Sequence, residues 1–260
     1  MTEDRGNPRL VRVPDAAAMA TAAAGLLART FQERPDAAIA VPTGHTPLPL
    51  FAELIARVER GTLDLSRAHW FCLDEYVDIS PADPVSLTGW LQHHFFAPAR
   101  IPTARIHPLP AIAEDHEAAC AAFEAALAER GGLDLAIVGL GGNGHVAYNE
   151  PGATADSRTR VVTLTSESVT GAAAYFAGQR VPARAVTIGM ATLLEARRIV
   201  LIVTGRTKAE MLRRALCEPP SASVPASWLR LAGDRLTVIA DDLAGSACEA
   251  LPWRYARSGE

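Results

Sequence analysis

The residues best suited to chemistry lie in one stretch, Leu133 to Gly152. Its glycines allow the backbone to turn sharply and to approach a ligand closely, and His145, Asn149 and Glu150 follow them. A histidine gives and takes protons near neutral pH, so a histidine with a nearby carboxylate suits acid–base catalysis. The same pattern also occurs in ordinary glycine-rich turns with solvated polar residues, and this motif alone leaves both interpretations open.

A second candidate segment follows the apolar run Ala37 to Val41. It contains Thr43, Gly44, His45 and Thr46 and comes just before a predicted helix. Free backbone N–H groups at a helix start can bind an anion, and the threonine hydroxyls could add hydrogen bonds. An ordinary turn with Thr46 as the helix cap is the alternative, and this segment alone favours it.

Two further polar residues follow apolar runs in the same way. Asp74 comes directly after His69 to Leu73, where it could act as a general base or cap a turn. Lys208 follows Ile199 to Val203 and precedes a helix, so an anion could meet a helix start and a lysine there.

These side chains need a framework that brings strand ends together. Short apolar runs alternate with helical stretches along the chain, which predicts a mostly parallel sheet with helices on both faces. The predicted strands are 10–13, 37–41, 69–73, 105–109, 133–138, 160–164, 185–188, 199–203 and 236–240. The predicted helices are 15–29, 48–60, 85–96, 114–130 and 209–216. Open α/β sheets bind ligands outside the carboxyl ends of their strands, so we expect the candidates to meet there.

Composition excludes several classes of protein. With 260 residues and 49% hydrophobic content, the chain can bury a large core in one or two domains. A net charge of -4 gives no overall attraction to nucleic acid or anionic membranes. The four cysteines form no CxxC pair, so neither a zinc site nor a disulfide framework is indicated. Without a secretory signal pattern or a run of roughly 18 apolar residues, the protein is expected to be soluble and cytoplasmic.

Four separated segments together resemble the glucosamine-6-phosphate deaminase family, also called glucosamine-6-phosphate isomerase. They are PTGHTP at 42–47, LDEYVDI at 73–79, GLGGNGHVAYNEPG with SRTR at 139–160, and VTGRTKA at 203–209. Each motif is weak alone, but their joint order and spacing make the resemblance specific, and it covers nearly the whole chain. The related 6-phosphogluconolactonases share the glycine-rich turn and its histidine, whereas Asn149-Glu150-Pro151 is the deaminase pattern.

The resemblance implies a three-layer, Rossmann-like α/β fold in a single domain over residues 1–260, with a mobile lid within 151–184. It implies an amino sugar phosphate as substrate and chemistry without a metal or organic cofactor. Neither nucleic acid nor a membrane is an expected partner. Members of the family occur as monomers and as larger rings, so a homo-oligomer is compatible with the sequence.

Carried over to this sequence, the resemblance assigns four catalytic positions. Asp74 would move a proton between C2 and C1 of the opened sugar, and His145 would open the ring by shuttling a proton to the ring oxygen. Glu150 would orient that histidine. Asn143 stands where many members have an aspartate that gives the histidine a second contact; an asparagine hydrogen-bonds but adds no charge.

The resemblance also implies a set of substrate- and phosphate-binding residues, which are Thr43, Gly44, His45, Thr46, Gly141 and Lys208. Ala174 departs from the pattern, because the family has a phosphate-binding arginine there, just before two aromatic residues. Either His45 with Arg180 or Arg184 compensates, or the substrate is a different amino sugar or lacks a phosphate in the usual place.

Other functions remain as alternatives. After the deaminase and its relative with a shifted substrate come a lactonase-like hydrolase and a non-catalytic sugar-sensing module. Only about a dozen residues precede the first predicted helix, too few for the helix-turn-helix of a sugar-responsive regulator. Positions that bind an activator in allosteric members are Ala153 and Val162 here, so we expect no such activation.

Overall fold

The computed structural model describes residues 6–176, 178, 180–252 and 254–255. Strands and helices are numbered β1 to β11 and α1 to α7 along the chain. Within this described part, the main sheet contains eight strands, each parallel to its neighbours. Their spatial order is β11 (Arg254–Tyr255), β1 (Arg9–Val13), β10 (Leu236–Asp241), β9 (Ile199–Val203), β6 (Leu135–Gly139), β2 (Ala38–Val41), β3 (His69–Cys72) and β5 (Ile106–His107).

The described α-helices follow most of the predicted helical stretches. They are α1 (Ala16–Glu33), α2 (Leu48–Glu59), α3 (Leu87–Leu91), α4 (His116–Glu129), α5 (Ser166–Ala172), α6 (Met190–Leu194) and α7 (Ala209–Cys217). The carboxylates of Asp15 and Asp115 accept hydrogen bonds from the first turns of α1 and α4, which fixes where those helices begin. None of the described helices is long and apolar enough to cross a membrane.

Helices cover both faces of the main sheet. Successive strand residues point to opposite faces, so Trp70 packs in the core beneath α1 and α2, whereas Phe71 packs in the core beneath α4, α6 and α7. Every residue of β9 is buried, as expected for a central strand with both faces covered. The predicted three-layer α/β fold is confirmed.

The strands predicted at 160–164 and 185–188 exist but do not belong to the main sheet. They are β7 (Arg160–Thr163) and β8 (Arg184–Thr187), and they form a small antiparallel sheet with β4 (Asp74–Tyr76). An apolar run shows that a segment is a strand but does not identify its partner. This second sheet positions Asp74, because that residue pairs with Thr187 of β8.

The helix predicted at 85–96 is divided. Its first part is α3, and Gln92–Phe96 continue as a π-helix. The wider turn of the π-helix leaves both Phe95 and Phe96 fully buried although they are adjacent in sequence. Phe95 stacks on Phe51 with ring centroids 4.4 Å apart and meets Trp70 edge-on at 5.0 Å.

This aromatic cluster predicts a large stability difference between two substitutions. Phe95→Ala should lower the free energy of unfolding by about 3–5 kcal/mol, because it leaves a cavity among rigid rings. The exposed side chain of Leu243 offers the control, and Leu243→Ala should change stability by less than about 0.5 kcal/mol. Urea denaturation of both variants measures this, and similar losses in the two would contradict the packing described.

Candidate active site

A cavity of about 540 Å³ opens where the carboxyl ends of β2, β3 and β6 meet. Eight of the ten predicted site residues line it, and these are Thr43, Gly44, His45, Thr46, Asp74, Gly141, His145 and Lys208. The other two, Asn143 and Glu150, contact His145 from behind the cavity wall. The structure therefore brings together residues that are up to 165 positions apart in the sequence.

Asp74 is a buried carboxylate at the cavity wall. It is only 8% exposed, and its Oδ1 atom has no hydrogen-bond partner among the described residues. Burial, and after it the charge of Glu75, raise the pKa of Asp74 to about 7. A carboxylate with a raised pKa is a stronger base than an ordinary carboxylate, and the Asp74 side chain lines the cavity.

The neighbouring Glu75 serves a different purpose. It is fully buried, and its carboxylate accepts hydrogen bonds from the backbone N–H groups of Tyr76, Leu87 and Thr88 at 2.9–3.0 Å. Burial raises the pKa of Glu75, and these hydrogen bonds oppose that rise. Glu75 thus ties β4 to the start of α3 and holds Asp74 on the opposite side of the strand. This role of Glu75 was not predicted from the sequence, although adjacent strand residues must face opposite ways.

His145 is held by a carboxylate and an amide. Its Nδ1 atom lies 3.4 Å from Oε2 of Glu150. The same Oε2 accepts a hydrogen bond of 2.8 Å from the side-chain amide of Asn143, whose Oδ1 accepts from the backbone N–H of His145 at 3.1 Å. Asn143 therefore contacts the histidine's backbone and its carboxylate partner, and the three residues lie together in the structure.

Glu150 has the opposite electrostatic environment from Asp74. Burial alone would raise its pKa, but hydrogen bonds from His145, Ser168 and Asn143 outweigh burial and lower it to about 2. Glu150 is therefore ionised at neutral pH and favours a proton on Nδ1 of His145. No described residue hydrogen-bonds the other ring nitrogen, Nε2, so it is available at the cavity.

Two hydroxyl groups near α5 complete this arrangement and were missed from the sequence. Ser168 Oγ lies 3.4 Å from Nδ1 of His145, and Thr165 Oγ1 accepts from the backbone N–H of Ser168 at 3.2 Å and from Asn143 at 3.4 Å. Thr165 is the N-cap of α5, a position where threonine is favoured. That capping pattern was the available signal, but nothing in it indicates contact with His145.

Gly141 makes room for the histidine ring. A Cβ atom at this position would lie 2.3 Å from the imidazole, closer than any real contact. Gly144, with a φ of 90°, adopts a backbone conformation that L side chains rarely allow. The glycine-rich turn is therefore needed to leave space for the imidazole ring of His145.

Two tyrosines form part of the cavity wall above Asp74. The hydroxyl of Tyr148 donates to that of Tyr76 at 2.9 Å. Burial raises the pKa of Tyr76 to about 12, so both hydroxyls keep their protons at neutral pH. The hydroxyl proton of Tyr76 is then free to be donated to another acceptor.

The far end of the cavity combines a loop, a lysine and an aromatic pair. Gly44, with a φ of 95°, turns the loop after β2. Nδ1 of His45 lies 2.8 Å from the hydroxyl of Tyr175, so the loop is joined across the cavity to the segment after α5. Lys208 lies at the N-cap of α7, where burial lowers its pKa and the charge of Glu167 acts in the other direction.

The arginines that could replace the residue missing at Ala174 do not reach this region. Arg184 lies 3.7 Å from Asp78 in an exposed ion pair, and neither Arg184 nor Arg180 lines the cavity. The prediction that Arg180 or Arg184 replaces the missing arginine is therefore wrong for this structure. Tyr175, next to Ala174, is the side chain from this segment that meets His45.

Comparison with known proteins agrees with this geometry. Residues 14–238 match the sequence model of the family described as glucosamine-6-phosphate isomerases/6-phosphogluconolactonase. Over 235 residues the chain is 40% identical to the glucosamine-6-phosphate deaminase of Rhodopirellula baltica (strain DSM 10527 / NCIMB 13988 / SH1), covering 90% of this chain and 93% of that protein. It is 35% identical to the deaminase of Mycolicibacterium smegmatis (strain ATCC 700084 / mc(2)155), with 94% of each chain covered.

Solved structures give the same relationship. A structure described as a monomeric glucosamine-6-phosphate deaminase matches with a TM-score of 0.86 and 34% identity, covering 92% of this chain and 99% of that one. A 6-phosphogluconolactonase from Trypanosoma cruzi matches with a TM-score of 0.73 at 18% identity, covering 92% and 96%, and thus shares the fold. The chain belongs to the family of glucosamine-6-phosphate isomerases and 6-phosphogluconolactonases.

Proposed function

We propose that this protein is an aminosugar-phosphate deaminase that converts glucosamine 6-phosphate and water into the 2-keto sugar phosphate and ammonia. The observation that carries the proposal is the buried carboxylate of Asp74, which lines the same cavity as the histidine held by Glu150. Identity to named deaminases over about nine-tenths of the chain supports the same substrate class.

Ring opening is the first step. Nε2 of His145 takes the proton of the C1 hydroxyl and delivers it to the ring oxygen, so that the C1–O5 bond breaks and an aldehyde forms at C1. Glu150 stabilises the histidine when it carries a positive charge, because it lies 3.4 Å away and is ionised. Asn143 holds Glu150 and His145 in position relative to each other through its two hydrogen bonds.

Isomerisation is the second step and uses Asp74. The ionised carboxylate removes the proton from C2 to give an enolamine and returns it to C1, while a second proton passes from the amino group to the C1 oxygen. A ketimine results, water adds to C2, and ammonia leaves. The pKa of about 7 suits a group that must both take and return a proton near neutral pH.

The substrate's phosphate binds at the end of the cavity that holds Lys208. Backbone N–H groups of Thr43, Gly44 and Thr46 supply neutral donors there, and Lys208 supplies the charge. The pair formed by the imidazole of His45 and the hydroxyl of Tyr175 adds a donor where the family pattern has an arginine at position 174. Gly141 shapes the cavity beside His145.

A second candidate is a deaminase or isomerase with a shifted substrate. The observation that favours it is Ala174, since no guanidinium lines the described cavity. Such an enzyme would keep the chemistry of Asp74 and His145 but prefer another amino sugar. Rates of ammonia release from glucosamine 6-phosphate, galactosamine 6-phosphate and unphosphorylated glucosamine distinguish the two, because the first candidate requires the first compound to be turned over fastest.

We also propose that part of the segment 151–184 acts as a lid. It contains α5, whose Ser168 contacts His145, and Tyr175, which contacts His45 across the cavity. Opening of this segment would therefore expose both ends of the cavity. The cytoplasmic location and the homo-oligomer stay predictions from the sequence.

Asp74→Asn should lower kcat/KM for ammonia release by about 10²- to 10⁴-fold, because an amide cannot accept the C2 proton. The variant should not be destabilised at pH 8. Since the folded state binds the Asp74 proton more tightly than the unfolded state, wild-type stability from this group decreases as pH rises from about 4 to about 7. Asn removes that penalty, so thermal unfolding at pH 8 checks the fold, and a folded variant with full activity would refute the assignment.

The pH dependence of kcat/KM should have an acid limb near pH 7. Activity requires ionised Asp74, whose pKa is about 7, so the rate should be full above that pH and fall about tenfold per unit below it. Repeating the profile at several temperatures assigns the limb, because carboxyl ionisation changes little with temperature whereas imidazole ionisation changes strongly. A rate that stays constant down to pH 5 would contradict a raised pKa of the base.

The phosphate site predicts effects on KM. Lys208→Met should raise KM for glucosamine 6-phosphate roughly 10- to 100-fold, the loss expected for a charge-assisted contact. Tyr175→Phe and His45→Ala should each cause a smaller rise and leave the KM of unphosphorylated glucosamine unchanged. Equal effects on both sugars would show that these residues do not contact the phosphate.

A further inference from the structure

A group of basic side chains lies at the amino-terminal edge of the main sheet, at the opposite end of the strands from the cavity. His69 is the first residue of β3, and Arg105 directly precedes β5, which contains His107. Arg130 directly follows α4. These four residues form what we call the basic cluster, and none of them lines the cavity.

The hydrogen bonds of the basic cluster determine where its protons are. Nη1 of Arg105 and Nη1 of Arg130 lie 2.6 Å and 3.2 Å from the same atom, Nε2 of His69. A guanidinium only donates, so that nitrogen must be unprotonated. The proton of His69 is then on Nδ1, which donates to Nε2 of His107 at 2.8 Å. Both imidazoles are therefore neutral in this arrangement.

The surroundings of His69 and His107 also favour the neutral form of both imidazoles. His107 stacks between His69 and Phe71, with ring centroids 5.1 Å and 4.5 Å apart. Burial, and after it the charges of the two arginines, lower the pKa of His69; the same causes, with His69 added, lower the pKa of His107 to about 4. Neither ring adds positive charge at neutral pH, and neither can neutralise the arginines.

Two guanidinium charges therefore converge without a compensating carboxylate. Among the described residues, no carboxylate lies within ion-pair distance of Arg105 or Arg130. Asp36 acts on His69 only as a more distant charge. Nη1 of Arg105 and Nη1 of Arg130 both donate to Nε2 of His69, so the distance between these two nitrogens cannot exceed the sum of the two hydrogen-bond lengths. One tetrahedral oxyanion can bridge two guanidinium groups at that separation.

The arginines close to this edge contrast with the basic cluster. Arg34 and Arg197 both pair with the buried carboxylate of Asp134, at 3.1 Å and 3.2 Å. Those charges are neutralised within the protein. The uncompensated pair is thus a local feature in a chain whose net charge is -4.

We propose that the basic cluster is a second anion site, which binds the dianionic group of phosphate or of a phosphate monoester through Arg105 and Arg130. The guanidinium donors not used on His69 match the geometry of phosphate oxygens. His69 and His107 hold the two arginines at the required spacing. The site is independent of the catalytic cavity and of the reaction proposed there.

Titration of ¹⁵N-labelled Lys208→Met protein with inorganic phosphate tests this site, because the substitution weakens phosphate binding in the cavity. The imidazole nitrogens of His69 and His107 are followed at pH 7.5, with ionic strength held constant by chloride. We expect a saturable shift of both histidines. Arg105→Met and Arg130→Met, each added to Lys208→Met, should raise the dissociation constant for phosphate roughly tenfold.

Arg29→Met in the same background is the matched control, since Arg29 is an exposed arginine on α1, and it should leave the dissociation constant unchanged. Glycerol 3-phosphate is titrated in parallel: binding equal to that of inorganic phosphate would show that the phosphate group alone is recognised, whereas tighter binding would identify a monoester. If the Arg105→Met variant does not fold, the Arg130→Met variant provides the test, because Arg130 is exposed. Absence of a saturable shift, or equal affinity in the arginine variants and the control, would overturn the proposal.

Discussion

Two carboxylates beside one cavity experience opposite electrostatic conditions, and the rest of the site depends on that difference. Burial, and after it the charge of Glu75, raise the pKa of Asp74 to about 7, whereas Glu150 receives several hydrogen bonds that lower its pKa to about 2. Pairs of titratable groups whose environments separate their pKa values are typical of acid–base catalysts. One carboxylate is thus suited to exchange protons with a substrate, and the other to remain charged beside a histidine.

The fold produces this difference with few residues. Glu75, adjacent to Asp74, accepts the backbone hydrogen bonds from the start of α3, whereas no described residue donates one to Oδ1 of Asp74. At the end of β6, Gly141 leaves space for the His145 ring. A small antiparallel sheet beside the main parallel sheet fixes the strand that carries both acids. The burial of an unpartnered carboxylate opposes folding, so the large core on both sheet faces must hold it in place.

Much of this was predictable from the sequence. Buried strands and their glycine-rich ends place Asp74, His145 and Lys208 at one sheet edge, and the structure confirms that they line one cavity. The sequence did not reveal the partners of β7 and β8, because periodicity carries no information about pairing. The contact of His45 with Tyr175 joins residues 130 positions apart, and no local pattern encodes it. Of the residues expected to replace an arginine at position 174, His45 lines the cavity, whereas Arg180 and Arg184 do not.

The most direct test of this account is ¹³C NMR titration of the side-chain carboxyl groups in protein labelled at aspartate and glutamate. Spectra of Asp74→Asn and Glu150→Gln variants assign the two signals. We expect Asp74 to titrate near pH 7 and Glu150 to stay ionised to the acid limit of the folded protein, consistent with a pKa of about 2. Titration of both groups near pH 4 would show that the site does not separate the pKa values of the two carboxylates.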